Sequence, residues 1–438
     1  MNDTGKQQDA LEPRLVRPDD LDPRIDWNRP IQAPGHMGVD FETRVDFRRL
    51  HRYRLARARE ALKNSECGAL LLFDVNNIRY VSSTKIGEWE RDKFCRFALL
   101  AGDSEPIVWD FGSAAYHHKL YCDWLEIDNC RAGMLGMRGT VPPSAGLMKN
   151  HSEEIMDILR QMGVADLPVG VDLAETAMFF ELQNAGMKMV DGQQIMLNAR
   201  EIKNVDEITL LNQAAAMVDG VYHMVYEELK PGVRENDIVA WANKMLYEHG
   251  SDDVEAINAI SGERCSPHPH NFTDRLLRPG DQAFFDIIQS YVGYRTCYYR
   301  TLNVCFATPA QQDAYKQCRE WLDSAIELIK PGVTTDRVAS VWPKAEDFWF
   351  PSEMDAFGLQ FGHGLGVALH ERPIISRLVS LENPMEIKTG MVFALETFCP
   401  AKDGVSAARI EEEVVVTDTG SKVITLFPAQ ELPIANRY

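Results

Sequence analysis

The chain is short of several things that would have set its class at once. No stretch approaches the roughly 18 consecutive apolar residues a bilayer-spanning helix needs, so a membrane role is not expected. The opening residues, MNDTGKQQDALEPRLVRPDD, have no apolar core of the kind that marks a secretory leader. Positive charge is also in deficit: 46 Lys and Arg stand against 65 Asp and Glu, a formal net charge of −19. A basic surface is what nucleic acid and anionic lipid demand, so neither is expected as a partner. The nine cysteines never form a CxxC pair. Free thiols in a reducing cytoplasm are the expectation.

What is present is enough apolar material, 45% of 438 residues, for more than one core. Residues 1–45 are rich in Pro, Asp and Arg without periodicity and read as an extended arm. From Phe47 the pattern turns α/β. A basic amphipathic helix over Leu50–Leu62 precedes the apolar run Gly68–Phe73, read as a buried strand. Asn76–Tyr80 reads as a turn and the next strand. Phe97–Leu100 and Pro106–Trp109 repeat the strand signal around the turn residues Gly102, Asp103 and Ser104. A helix over Ser152–Met162, a strand over Val169–Asp172 and a helix from about Ala174 complete an α/β domain assigned to residues 46–200.

Ala199–Ile208 reads as a linker entering a helix capped by Asn204 or Asp206. Beyond it, Lys-Pro-Gly-Val occurs at 230–233 and again at 330–333. Each copy sits between helical stretches, Asn236–His249 following the first and Asp336–Ala345 the second. Such a repeat predicts two related α+β halves with a site between them, spanning 201–438.

Four clusters carry chemistry. Asp286 closes the apolar run Ala283–Phe285, and a carboxylate there is costly unless paired or metal-bound. An Asp at a strand end more often caps a turn. His363 lies among glycines in Gly362–Gly366, which let a backbone approach something closely, and His370 follows seven residues on. Glu396 and Glu411 follow strand-like apolar segments and pair with a histidine as oxygen and nitrogen donors for a divalent ion. Glu412 and Glu413 read as solvated or alternating strand residues. His268 and His270, at i and i+2, share one face of an extended segment, and one of them can serve as general base or substrate ligand.

GHGLG…HE, then ALE, then RIE, preceded by D-x(6)-GY-x(5)-RT, resembles the pita-bread enzymes: aminopeptidase P, prolidase, methionine aminopeptidase and creatinase. The resemblance covers roughly 200–438. The preceding domain is similar to the creatinase-type N-terminal domain. The stretch LLLFDVNNIRYVSST…WDF is similar to dimethylsulfoniopropionate lyases of the DddP type. The implied fold is an α/β creatinase-like domain plus an α+β pita-bread catalytic domain.

The family holds two metals with Asp, Asp, His, Glu and Glu. Asp286, His363, Glu396 and Glu411 match four of these positions, and Cys297 stands at the fifth. A thiolate is one soft donor where the aspartate offers two hard oxygens, so two metals are not expected. One divalent metal, zinc or iron, or none at all, is the expectation, with a nucleophilic Cys297 as a further possibility. His370 and one of His268 or His270 would bind substrate or transfer protons with Glu396 and Glu411. Tyr294 and Arg409 would bind substrate. The expected protein is a cytoplasmic homodimer acting on a small molecule. It would be a hydrolase or lyase cleaving a C–N or C–S bond of a small polar or zwitterionic metabolite. A metal-dependent Xaa-Pro peptidase and an inactive binding domain are the alternatives.

Overall fold

A computed structural model describes residues 45–87, 96–133 and 139–437. The arm expected over residues 1–45 lies outside them except for its last residue.

Helix α1 (Phe47–Lys63) begins where Asp46 accepts a hydrogen bond from the Arg49 N–H, and it buries Leu50, Arg54, Ala58 and Leu62. Strands β1 (Ala69–Leu72), β2 (Phe97–Ala101) and β3 (Ile107–Asp110) follow, fully buried as their continuous apolar runs require. Between β1 and β2 the expected turn and strand at Asn76–Tyr80 is instead helix α2 (Val75–Ser82). The Asp74 side chain accepts from the Asn76 and Asn77 backbone N–H groups, a helix N-cap that the run of asparagines obscured. Helix α3 (Gly112–Tyr121), β4 (Cys130–Ala132), α4 (Leu147–Gln161), β5 (Val169–Val171), α5 (Thr176–Asn184) and β6 (Met189–Asp191) complete this region. Its six strands form one sheet in the order β4-β3-β2-β1-β5-β6. Leu71, Phe97, Trp109, Ile155 and Leu159 are among its core residues.

Helix α6 (Gln193–Arg200) leads to α7 (Val205–Glu228). Asn204 caps α7 in a reciprocal box: it accepts from the Glu207 N–H, while the Glu207 carboxylate accepts from the Asn204 N–H. Asp206, the other capping candidate, accepts two bonds from the Arg49 guanidinium at 2.7 Å each.

The remaining chain is built twice over. Helix α8 (Glu235–Glu248) precedes β7 (Asp253–Ser261), β8 (Gln282–Tyr291) and β9 (Tyr294–Val304). Helices α9 (Pro309–Glu327) and α10 (Thr335–Ala339) precede β10 (Phe361–Gly364), β11 (Glu371–Ser376), β12 (Val392–Pro400), β13 (Ala407–Val416) and β14 (Ser421–Val423). Strand β15 (Ile434–Ala435) returns to the first half. The sheet orders are β15-β9-β8-β7 and β11-β10-β12-β13-β14. The repeat predicted from Lys-Pro-Gly-Val is kept bond for bond. Gly232 and Gly332 both take positive φ, and their N–H groups donate to Leu277 and Ile387 respectively. Gly280 and Gly390 then open β8 and β12 by donating to Val304 and Val416. Helix α10 is shorter than the expected 336–345 because Pro343, which lacks an N–H, cannot continue it.

Candidate active site

The duplication sets which residues face each other. In the first half Asp286 pairs with Tyr299 and Ile288 with Cys297. In the second half Glu396 pairs with Glu411 and Phe398 with Arg409. The 110-residue offset between Gly280 and Gly390 carries Asp286 onto Glu396, and the matched pairings carry Tyr299 onto Glu411 and Cys297 onto Arg409. Both hairpins turn these residues to the interior, where Asp286, Cys297, Tyr299, Glu396, Arg409 and Glu411 are each at most 5% exposed.

His363 comes from β10, whose residues pair with β12 through Phe361–Glu396 and His363–Ala394. Its Nδ1 bonds the Gly364 carbonyl at 2.9 Å, which leaves Nε2 as the ring nitrogen free for another partner. A side chain at Gly364 would meet the Arg372 carbonyl, and one at Gly366 would meet the Glu371 carboxylate. The glycines therefore permit close approach around the histidine. Its ring lies 4.5 Å from that of His370.

Cys297 Sγ is 3.5 Å from Asp286 Oδ1 and 4.0 Å from Glu411 Oε2. Cys297, His363 and Glu411 each bring one donor atom to within 4.8 Å of the others, so the three can hold one ion. Glu411 Oε1 is buried and has no hydrogen-bond partner, as a ligand oxygen awaiting a cation would be. Sulfur, imidazole nitrogen and carboxylate oxygen together suit zinc or iron(II). Glu396 instead gives one oxygen to Arg409 Nη2. Asp286 accepts from Asn258 Nδ2 at 3.0 Å.

The electrostatics demand either protons or a cation. Burial raises the Asp286, Glu396 and Glu411 carboxyls, and their mutual repulsion adds to the rise on Glu396 and Glu411. Arg409 opposes the rise on all three. Burial also pushes the Cys297 thiol well up, with the neighbouring carboxylates adding to it. A thiol so placed is a poor free nucleophile and becomes a thiolate only beside a positive centre. Burial lowers His363 to about 3, so its imidazole is neutral and free to coordinate.

Of the histidines left open, His268 enters the site: its Nε2 lies 3.1 Å from the Tyr299 hydroxyl. His270 is exposed and stacks on it, ring centroids 4.2 Å apart. Arg409 lies over the Tyr299 ring at 4.4 Å, and its Nε and Nη1 are buried without partners, open to a ligand. Tyr294 departs from its expected role. It sits an odd number of residues from Cys297 and so on the other strand face, where its hydroxyl donates to Glu207 Oε1 at 3.0 Å. Glu412 and Glu413 are not solvated, being 3% and 0% exposed. Glu412 pairs with Arg300 at 2.8 Å and Arg319 at 2.7 Å. Glu413 accepts from Thr296 Oγ1 at 2.6 Å and the Cys297 N–H at 2.7 Å. Glu413, Tyr299 and Asn258 were missed by sequence reading. For Glu413 the signal was there, since it shares strand parity with Glu411.

Residues 209–418 match the model of metallopeptidase family M24. The probable dipeptidase PepE of Mycobacterium tuberculosis is 27% identical over 311 residues, 70% of this chain and 74% of that one. The dimethylsulfoniopropionate lyase DddP of Roseovarius nubinhibens is 23% identical over 405 residues, 87% of each chain. The Xaa-Pro dipeptidase structure from Bacillus anthracis shares the fold at a TM-score of 0.71 and 19% identity, covering 88% of this chain and 99% of that one. With its duplicated hairpins and ordered motifs, the C-terminal half of the chain has the pita-bread fold and matches metallopeptidase family M24 over residues 209–418, it follows an α/β domain, and the protein is an enzyme of the hydrolase or lyase kind.

Proposed function

We propose that this enzyme is not a peptidase and that it cleaves a C–N or C–S bond of a small polar or zwitterionic metabolite. The observation that carries this reading is Cys297, a buried thiol 3.5 Å from Asp286 where the family's metal pair needs a second carboxylate. A DddP lyase aligns over 87% of both chains, N-terminal domain included, and this supports the same reading.

Cys297, His363 and Glu411 would hold one ion, zinc or iron, and when bound it supplies positive charge that polarises an oxygen of the substrate or of water. The chain's own groups do the rest. Arg409 presents Nε and Nη1 to an anionic group. Glu396, raised by burial and held by Arg409, is a carboxyl able to take or return a proton near neutral pH. His370, exposed beside His363, meets the substrate from the mouth.

We further propose a domain break between residues 200 and 201, a cytoplasmic setting, which the free thiols of the described cysteines support, and a homodimer. Among the described residues no helix is long and apolar enough to cross a membrane.

Dipeptidase relatives favour a second reading, a metal-dependent Xaa-Pro peptidase that tolerates the cysteine. An inactive binding domain is disfavoured, because a site without work would not retain so many buried, repelling acids. The experiment that separates them is a metal assay of the purified protein with a parallel screen of Xaa-Pro dipeptides and small betaines. Turnover of a betaine with at most one metal per chain supports the proposal. Two tightly held metals with strong Xaa-Pro cleavage overturns it.

A further inference from the structure

The two halves meet along β9 and β13, and side chains hold the seam. Among the described residues β9 pairs with β8 on one side, and β15 covers only Asn303 and Val304 on the other. Strand β13 pairs with β12, and β14 covers it only from Val414 onward. The backbone from Cys297 to Thr301, and that from Arg409 to Glu411, therefore takes its seam-side partners from side chains. The pairings that carry Tyr299 onto Glu411 also carry Cys297 onto Arg409, Arg300 onto Glu412 and Thr301 onto Glu413. These counterparts bind one another across the seam. Arg300 pairs with Glu412 at 2.8 Å. Thr301 Oγ1 accepts from the Arg409 N–H at 2.8 Å, and Glu413 Oε1 accepts from the Cys297 N–H at 2.7 Å. Each half thus holds from behind one residue whose side chain enters the site. The two holds differ in reach. Glu413 Oε1 also accepts from Thr296 Oγ1 at 2.6 Å, so one buried carboxyl ties two consecutive residues of β9.

We propose that Glu413 is a positioning residue for Cys297, fixing the backbone at 296–297 so that Sγ reaches the space shared with His363 and Glu411. The proposal rests on the reading above in which those three residues hold one ion. A cysteine side chain has χ1 as its one heavy-atom torsion, so a shift of its backbone carries the sulfur with it. Arg409 has a long, jointed side chain and can absorb such a shift, which makes the bond from Glu413 the more consequential of the two. Hydrogen bonds behind a metal ligand are worth about 10- to 100-fold in metal affinity.

The test uses the full chain and two readouts. In the metal-free protein labelled with 15N-cysteine, the Cys297 amide proton, assigned by its loss in Cys297→Ala, should lie well downfield, as a short bond to a carboxyl oxygen requires. Cobalt(II) titration then reports the thiolate-to-metal absorption band and the Kd. Glu413→Met keeps the bulk and removes the acceptor. It should move the amide proton upfield, weaken or shift the band and raise the cobalt Kd about 10- to 100-fold. Glu413→Gln, which keeps an acceptor oxygen, should stay close to the parent. Thr301→Val cuts the counterpart bond to Arg409 and should lower the melting temperature with the band and Kd unchanged. A merely structural Glu413 would behave in the same way. An unshifted Cys297 amide in the unsubstituted protein overturns the proposal, and so does a folded Glu413→Met with the parent's band and Kd. Should that variant fail to fold, Glu413→Asp, one methylene too short for the bond, takes its place with the same expectations. Absence of a thiolate band in the unsubstituted protein would instead remove Cys297 from the ligand set and sink the reading above, while the amide proton still decides whether Glu413 holds Cys297.

Discussion

Cys297 Sγ lies 3.5 Å from Asp286 Oδ1, two strands side by side presenting a thiol and a carboxyl to the same buried space. Neither group is comfortable as an anion there. Burial is the first cause on both, and the other carboxylates of the site add to it on the thiol. A soft cation relieves both at once.

Substituting Cys297→Asp should change which metal binds. The unsubstituted protein loaded with cobalt(II) is expected to show near-ultraviolet thiolate-to-metal charge-transfer absorption. The variant should lose that band and take up more manganese, since a carboxylate suits hard cations. Absorption spectra and elemental analysis check this, and a cobalt spectrum identical in both proteins would remove Cys297 from the ligand set.

Glu411→Gln should leave the fold intact and abolish turnover. Removing a positioned proton-transfer or ligand group costs about 10²- to 10⁴-fold in rate. The amide also relieves repulsion among Glu411, Glu396 and Asp286, so the metal-free variant should melt no lower than the parent. Calorimetry with a rate measurement on any substrate found in the screen decides it.

Lys203 and Arg200 clamp Glu371, at 2.9 Å and 3.2 Å, and all three are buried. Glu371 also accepts from the Ala368 N–H at 3.1 Å, in the segment that carries His370. Lys203→Met leaves a buried carboxylate short of one partner, and breaking a buried pair in this way costs about 3–5 kcal/mol. Adding Glu371→Gln should recover part of that loss. Denaturant unfolding of the two single variants and the double would show the coupling, and strictly additive losses would count against it.

Asp252 gives a pH signature. Burial alone would raise it, but Arg79 at 2.9 Å and Lys85 at 3.0 Å outweigh burial and hold it at about 2. A folded value below the unfolded one, about 3.9, means stabilisation present above about pH 4 and lost as pH falls toward 2. The drop is worth about 2 kcal/mol. Asp252→Asn should therefore be less stable than the parent at pH 6 and nearly equal to it at pH 2, as followed by thermal melts.

The sequence by itself determined the order of the motifs, the duplication and the departure at Cys297. These depend on which residues occur and how far apart, and hairpins of matched length turn spacing into position. It also singled out His363 by the glycines around it, and those glycines are where the fold packs other groups closely. Tertiary structure decided the facing of each residue. Tyr294 and Tyr299 look equivalent in the run from Tyr294 to Thr301, yet strand parity sends the first toward Glu207 and the second toward Asp286. Glu412 and Glu413 are adjacent acids that end on opposite faces, one bound to Arg300 and Arg319 and the other beside Cys297. Parity becomes a role only once a second sheet covers the face, and that sheet comes from residues more than a hundred positions away. The same holds for His268 and His270, which share a face in the extended chain. The position of Tyr299 selects His268 alone as the ring that reaches the buried network.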